Sequence, residues 1–329
     1  MLWPAGFARI PEEDWTRAPV ASLAQKYDAV GRHGWYANLE PTADDLAGQL
    51  RPGDILVDYS GGTGLLIDRL LERVAARDVG VVNVDSSPKF LALSLEKLRD
   101  DPRVAFRLIH YLADAKRLQY LDEALGALLT ARKADALVSA NAIHLYYDLD
   151  QTLASWARVL RSGARVHVQS GNIRNPEAPK DAWIIDETVE AVHQAAMGIV
   201  RKDARFARYR SALDDATRMA AHDALRRKFF LPPRPLALYV DALERADIRV
   251  EATRTHVVRA SAAEWHSFLS VYSEGVLGWV GGSPRIEGHE PDAGALHDRF
   301  TLMRLALDEV LAGRETFDAV WTYVLARRR

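Results

Sequence analysis

The residues from Asp58 to Gly64 have the types and spacing of a turn that binds a nucleotide-like ligand. The apolar residues 55–57 predict a strand, and the leucines of residues 65–71 follow a helical pattern. Between them, Gly61, Gly62 and Gly64 let a ligand approach the backbone where a Cβ atom would block it. The helix that follows directs its free N–H groups at the same position. The pattern therefore predicts a cofactor site between a strand and a helix.

Two common glycine-rich cofactor motifs do not fit this turn. The nicotinamide dinucleotide motif requires a glycine or alanine three residues after Gly64, where this chain has Ile67. The phosphate-binding P-loop requires a lysine after its glycines, and residues 53–84 contain no lysine. A different nucleotide-like cofactor is therefore expected.

The remaining pattern, Asp-x-x-x-Gly-x-Gly, resembles motif I of the class I S-adenosylmethionine (SAM)-dependent methyltransferases. The resemblance implies that SAM is the cofactor and that it is bound by Asp58, Ser60, Gly61, Gly62 and Gly64. Ser60 is a departure, because the family commonly has a glycine at that position. A small serine still allows a tight turn.

An acidic residue at the end of the next predicted strand extends the resemblance. The apolar residues 79–84 lead to Asp85, which follows Asp58 by 27 positions (85 − 58). In doubly wound nucleotide folds, an acid at this point accepts hydrogen bonds from ribose hydroxyls. Asp85 and Ser86 look like the second-strand motif of the family, although many relatives have an apolar residue in place of Ser86. Ser87 and Pro88 predict the start of a helix.

The later elements occur in the order expected for the same family. Residues 104–109 predict a third strand, and Asp114 with Ala115 resembles the acid–small pair that the family places beside the adenine amino group. Residues 136–140 predict a fourth strand that leads to Asn141, and residues 153–166 look like the next helix, turn and strand. The resemblance covers roughly residues 50–170 and implies that Asp114, Ala115 and Asn141 also contact SAM.

The fold class that this resemblance implies is α/β, with a doubly wound, Rossmann-like sheet. The sheet is expected to have seven mostly parallel strands, an antiparallel last strand and helical lid insertions. The expected segments are an N-terminal helical cap (1–50), a SAM-binding core (51–170), a helical substrate-side insertion (171–235), and the C-terminal part of the sheet (236–329) with a helical insertion at about 261–314.

Two of the segments outside the core allow two interpretations each. Aromatic residues of the N-terminal cap either cover the cofactor, with Tyr36 as a contact, or only dock the extension on the core. The arginines of the helical residues 202–230 either bind an anionic group of the substrate or form a solvated face balanced by aspartates. The glycines of residues 275–282 predict a flexible loop.

The loop after the fourth strand contains the candidate catalytic residues. Methyl transfer from SAM depends mainly on alignment and on exclusion of water, but a base helps when the acceptor carries a proton. In the family this loop lies beside the methyl group, and here it contains His144 and Tyr146. His144 is the better candidate for a base because imidazole titrates near neutral pH. The alternative is that His144 only lines the pocket or forms a local hydrogen bond.

Composition excludes several classes of protein. The 329 residues include no cysteine, so a disulfide, a thiolate nucleophile and a cysteine-ligated zinc are all excluded. The histidines show no metal-binding spacing. No signal pattern or long apolar run occurs, which predicts a cytoplasmic protein without a membrane partner. The net charge of −2 gives no support for binding nucleic acid.

These observations favour SAM-dependent methylation of a small molecule by direct displacement. A nucleic-acid methyltransferase is an alternative, but Asn141 is followed by Ala142 and Ile143 rather than by the Pro-Pro-aromatic sequence of many amino-directed enzymes. A second alternative is a SAM-binding protein with a non-methylating or regulatory role. The acceptor atom (O, N or C) and the oligomeric state stay open at this point.

Overall fold

A sheet of seven strands organises the computed structural model, which describes residues 2–75 and 77–329. The strands are β1 (Ile55–Tyr59), β2 (Gly80–Asp85), β3 (Val104–Leu108), β4 (Ala134–Ala140), β5 (Leu160–Ser170), β6 (Ile248–Ser261) and β7 (Thr316–Arg328). Their order across the sheet is β6-β7-β5-β4-β1-β2-β3. Strand β7 pairs antiparallel with both of its neighbours, and the pairs from β5 to β3 are parallel. The predicted doubly wound fold with an antiparallel last strand is confirmed.

Helices cover both faces of this sheet. They are α1 (Ser22–Ala29), α2 (Glu40–Gln49), α3 (Leu65–Arg73), α4 (Pro88–Leu98), α5 (Leu121–Arg132), α6 (Leu149–Val159), α7 (Glu187–Lys202), α8 (Arg210–Asp214), α9 (Ala216–Phe229), α10 (Leu236–Arg245), α11 (Ala262–Val271), α12 (Ser273–Leu277) and α13 (Ala293–Val310). Short 3-10 helices lie at Asp14–Arg17, Val30–Arg32, Gly34–Leu39, Ile143–Leu145 and Ala204–Tyr209. Ser87 accepts a hydrogen bond from the N–H of Phe90 and caps α4, as predicted.

The central strands are buried on both faces, which explains why they read as continuous apolar runs. Leu56 of β1 packs into one core cluster with α3 and α4, whereas Ile55 and Val57 pack into the other with α5 and α6. The carboxyl ends of β1, β4 and β5 meet at one edge of the sheet. The turns that follow these three strands therefore lie near one another.

The segment 275–282, which its glycines predict to be a flexible loop, begins inside α12 and packs into the core. Val276, Leu277 and Trp279 are almost fully buried. The guanidinium of Arg299, itself buried, donates hydrogen bonds to the carbonyl oxygens of Gly278, Val280 and Gly282. Because α13 supplies these donors, the irregular backbone can lie inside the protein without unpaired carbonyls.

In the described part of the chain, every helix is too short or too polar to cross a membrane.

Candidate active site

The turn after β1 has the backbone conformation that its glycines suggested. Gly62 and Gly64 have φ values of 54° and 84°, in the left-handed region, and Ser60 adopts a φ of 66° there as well. The N–H of Ser60 donates to the carbonyl of Val84, at 2.7 Å. The turn is thus attached to the end of β2, and its last glycine precedes the first residue of α3.

Gly61 lies where no larger residue would fit without a shift. A Cβ atom on Gly61 would lie 2.5 Å from Oδ1 of Asn83 and 2.7 Å from Oδ2 of Asp58. The Asp58 carboxylate below the turn is buried, and neither of its oxygens has a hydrogen-bond partner among the described residues. Burial, and secondarily the charge of Asp85, raise the pKa of Asp58 to about 7. An unpaired buried carboxylate beside a glycine cradle suits a ligand that brings a positive charge or a donor.

Asp85 ties the turn to the second strand. Its Oδ2 accepts a hydrogen bond from the N–H of Gly62 at 2.9 Å, and its Oδ1 accepts one from the N–H of Ser87 at 2.7 Å. Burial raises the pKa of Asp85 to about 6, although these backbone donors oppose the shift. Each oxygen keeps a second lone pair that could accept from a ligand hydroxyl.

A small cavity lies above the turn and brings most of the predicted cofactor residues together. We call it the turn cavity. Its lining residues include the predicted contacts Tyr36, Asp58, Ser60, Gly61, Gly62 and Asn141, and also Tyr27 and Thr63. Gly64 and Asp85 adjoin it through the backbone and hydrogen bonds of the turn.

Asn141 is fixed at the end of β4 by a polar network that reaches the N-terminal segment. Its φ of 56° is left-handed, and its side chain donates to Oδ1 of Asn38 at 3.0 Å and accepts from Nε1 of Trp321 at 2.8 Å. Gln169 of β5 also donates to Oδ1 of Asn38, at 2.7 Å. This network attaches the 3-10 helix Gly34–Leu39 to the sheet and so places Tyr36 over the turn.

A second and larger cavity of about 310 Å³ adjoins the turn cavity. We call it the aromatic cavity, because nine of its 17 lining residues are aromatic, among them Tyr27, Trp35, Tyr36, Trp265, Tyr272 and Trp321. Polar groups come from Asn141, His144, Asn172, Asp186 and Lys228. Tyr27, Tyr36 and Asn141 line both cavities. The hydroxyl of Tyr36 donates to that of Tyr27, at 3.1 Å.

His144 lines the aromatic cavity, but it is not the near-neutral base that its residue type suggested. Its Nδ1 lies 2.9 Å from the Ser170 hydroxyl, and its carbonyl accepts a hydrogen bond from Arg234. Burial, and then the charge of Arg234, lower the pKa of His144 to about 4. The imidazole is therefore neutral at physiological pH, and it is a weak base.

Tyr146 lies beside the turn rather than in either cavity. Its hydroxyl is 2.8 Å from that of Ser139 and 3.1 Å from that of Ser60. Burial raises its pKa well above the usual range. In this position Tyr146 holds Ser60 in its left-handed conformation.

Three of the predicted cofactor residues are not brought to the cavities. Asp114 and Ala115 are exposed in the turn between the short strands Tyr111–Leu112 and Arg117–Leu118, and Ser86 is exposed just after β2. The hairpin extends beyond the end of β3, which keeps the acid–small pair away from the described lining residues.

The ion pairs of the arginines in residues 202–230 favour a solvated face, whose charge is balanced by acidic residues, over an anion-binding site. Arg205 pairs with Asp203, Arg208 with Asp298, and the buried Arg226 with Glu190. None of these arginines is among the lining residues of the aromatic cavity, where the cation of this segment is Lys228.

Asp186 is, with Asn172 and Lys228, one of three polar residues of the cavity that the sequence did not single out. It immediately precedes α7, and its side chain does not cap that helix. Burial raises the pKa of Asp186 to about 7. The one available signal was an acid directly after the apolar residues 183–185, in a segment that was interpreted only as helical.

Comparisons with known proteins agree with the fold and identify a methyltransferase domain. Residues 57–168 match the family model described as a methyltransferase domain. The YcgJ protein from Bacillus subtilis has a TM-score of 0.50 and 12% identity, with 89% of this chain and 99% of that chain covered. No curated protein gives a sequence match.

Two further solved structures are similar at lower scores. The [4+2]-cyclase SpnF has a TM-score of 0.47 and 14% identity, with 91% of this chain and 83% of that chain covered. Phosphoethanolamine N-methyltransferase 2 from Haemonchus contortus, in complex with SAM, has a TM-score of 0.46 and 13% identity, with 93% and 56% covered.

The matched domain includes most of β1, the glycine turn that follows it, the strands β2 to β4 and most of β5. The turn that lines the smaller cavity therefore lies within this domain. Residues 57–168 of the chain are therefore a methyltransferase domain.

Proposed function

We propose that this methyltransferase acts on a small molecule held in the aromatic cavity. The observation that supports the proposal is the shared wall: Tyr27, Tyr36 and Asn141 line both the turn cavity and the aromatic cavity. A cofactor over the glycine turn and an acceptor among the aromatic residues would therefore be neighbours. A volume of about 310 Å³ suits a small organic molecule.

We assign the turn cavity to SAM on the basis of its polar groups. The unpaired carboxylate of Asp58 suits the cationic methionine portion of the cofactor, and Asp85 suits its ribose hydroxyls. Gly61 and Gly62 leave room for the cofactor against the backbone. SAM supplies a methyl group on a sulfonium, which is already activated for displacement.

The contribution of the chain is then to align the acceptor with the methyl group and to exclude water from both. SAM held by the glycine turn would supply the methyl group to an acceptor atom aligned with it, and S-adenosylhomocysteine would be the leaving group. Aromatic walls exclude water from the acceptor, which prevents competing solvation of the reacting atom. His144 and Asp186 are the lining residues that can accept a proton.

Narrowing the mouth of the aromatic cavity should impair acceptor binding and leave SAM binding intact. Leu145 lines the cavity but is 42% exposed, so Leu145→Trp can be accommodated without disturbing the core. We expect KM for an active acceptor to rise by about tenfold or more, the equivalent of ~1.4 kcal/mol. The readout is release of S-adenosylhomocysteine, with SAM affinity measured by calorimetry.

Leu128→Trp is the matched control, because Leu128 is 45% exposed on α5 and lines neither cavity. Its kinetics should equal those of the wild type. If a panel of small molecules gave no S-adenosylhomocysteine while RNA or DNA did, the small-molecule proposal would fail. Tight SAM binding without product from either class would instead support the non-methylating alternative.

The affinity for SAM should fall as the pH is lowered through 7 and then 6. Burial raises the pKa of Asp58 to about 7 and that of Asp85 to about 6, and the proposed contacts require both carboxylates to be ionised. Each carboxylate that must lose a proton on binding weakens the affinity by at most about tenfold per pH unit below its pKa. Calorimetry from pH 5 to 8 measures the slope, and Asp58→Asn should remove the component near pH 7. A flat profile in the wild type would contradict the role of both acids.

A further inference from the structure

Two side chains of the aromatic cavity, Asp186 and Asn172, have acceptor atoms without a partner among the described residues. The carboxylate of Asp186 has no hydrogen bond or ion pair with any described residue, and it does not cap α7. Oδ1 of Asn172 is buried without a partner, although the Nδ2 atom of the same side chain donates to the carbonyl of Leu231 at 2.7 Å. Buried acceptors without donors are costly, so an occupant that supplies donors is favoured.

The walls of the cavity suit a positive charge as well as an apolar body. Trp35 makes an edge-on contact with Trp265 at 5.6 Å between ring centroids and is stacked with Trp321 at 6.2 Å. The ring faces of such residues attract cations, most strongly when water is excluded. Nε1 of Trp35 is an unpartnered donor, but its indole lies within this ring cluster, where an N–H can rest on an aromatic face.

The carboxylate and the cations near the aromatic cavity do not pair with one another. Asp186 lines the cavity and is half-buried, and no cation of a described residue comes within 4 Å of its carboxylate, since none forms a salt bridge with it. Lys228 is exposed. Arg234 donates to the carbonyl of His144 and to the hydroxyl of Tyr239. The carboxylate of Asp186 thus forms no ion pair with any described residue.

From this juxtaposition of an unpaired carboxylate, an unpaired amide oxygen and aromatic walls, we propose that the methyl acceptor is an amine that enters as its ammonium ion, with Asp186 as the group that binds it. The inference rests on the proposed function, since it names the substrate class of that same cavity. Asn172 would accept a second N–H of the ammonium, and the aromatic residues would pack against the apolar body of the amine.

The same carboxylate accounts for the proton that N-methylation must remove. A primary ammonium first gives one proton to Asp186, whose pKa burial raises toward neutrality, to about 7. The nitrogen lone pair then forms the new bond to the methyl carbon as the carbon–sulfur bond breaks and its electron pair stays on sulfur. The products are a methylated ammonium and S-adenosylhomocysteine, and Asp186 returns the proton to solvent.

The test compares two probes that differ in charge but scarcely in shape, 2-phenylethylammonium and 2-phenylethanol. Binding to the full chain in the presence of S-adenosylhomocysteine is followed by the fluorescence of the tryptophans that line the cavity. We expect the ammonium to bind at least about tenfold more tightly than the alcohol in the wild type. In Asp186→Asn this preference should disappear, because the isosteric amide keeps the shape and removes the charge.

Glu187→Gln is the matched control, since Glu187 is the adjacent acid, pairs with Arg174 and does not line the cavity. It should retain the preference for the ammonium. Equal binding of the two probes by the wild type, or an undiminished preference in a folded Asp186→Asn variant, would overturn the proposal. The proposed function is tested separately by turnover. If alcohols or phenols but no amines gave S-adenosylhomocysteine, the amine assignment would fail while small-molecule methylation would stand, and if no small molecule did, the proposed function itself would fail.

Discussion

Replacement of Asp85 by alanine is expected to weaken SAM binding by about one to two orders of magnitude, the effect of losing a charge-assisted, partly buried contact of ~1.5–3 kcal/mol. Two losses combine in this variant. The ribose hydroxyls would lose their acceptor, and the N–H groups of Gly62 and Ser87 would lose the carboxylate that holds the turn against β2. Calorimetric titration with SAM measures the change.

Asp78→Ala is the control for this experiment. Asp78 precedes β2 at the opposite end of the strand from Asp85 and is exposed. Its removal should leave SAM affinity unchanged. An Asp85→Ala variant that is folded by circular dichroism and binds SAM like the wild type would remove Asp85 from the cofactor site.

If His144 rather than Asp186 takes the proton of the acceptor, replacement of His144 by alanine is expected to lower kcat by about a hundredfold, the lower end of the range for general acid–base catalysis. The low pKa places the contribution at that end, because a base of pKa about 4 has little driving force for taking a proton at pH 7. The contribution of His144, measured as the ratio of wild-type kcat to that of the variant at saturating SAM, should be lost as the pH drops through about 4, where the imidazole becomes charged. Single-turnover kinetics on an accepted substrate would measure the chemical step.

His167→Gln is a suitable comparison for His144→Ala. The pKa of His167 is also lowered to about 4 by burial, but its side chain bonds to Gln49 on the far side of β5 and lines neither cavity. We expect its kcat to equal that of the wild type. Unchanged kcat in His144→Ala would assign proton removal to another group, and a change in KM alone would restrict His144 to binding the acceptor.

The cofactor turn could be predicted from sequence because its determinants are local. A strand, an acid, closely spaced glycines and a helix lie within 19 residues (73 − 55 + 1), and the structure has β1, the left-handed Gly62 and Gly64, and α3 in those places. The order of the strands was equally accessible, because each buried parallel strand is a continuous apolar run. The structure after β3 could not be predicted in this way, since the conformation of a short hairpin decides whether Asp114 reaches a cavity.

The acceptor site could not be predicted, because its walls come from distant parts of the chain. Trp35, Asp186 and Trp321 meet only after the N-terminal segment, the start of α7 and the last strand have packed together. The pKa values of Asp186 and His144 depend on that burial and not on residue type. The error at residues 275–282 has the same origin. Glycines indicate a loop locally, but Arg299 of α13 supplies the donors that allow the segment to be buried.

The two tyrosines between the cavities have a thermodynamic consequence. Tyr27 and Tyr36 are joined through their hydroxyls, and Tyr27 also stacks on Phe90 of α4, with ring centroids 4.9 Å apart. A ligand in either cavity therefore orders the two tyrosines of the shared wall. The second ligand then binds with a smaller loss of conformational entropy. The two binding equilibria are coupled with the same free energy in both directions. Binding of the methyl donor therefore raises the affinity for the acceptor, and dissociation of one product lowers the affinity for the other.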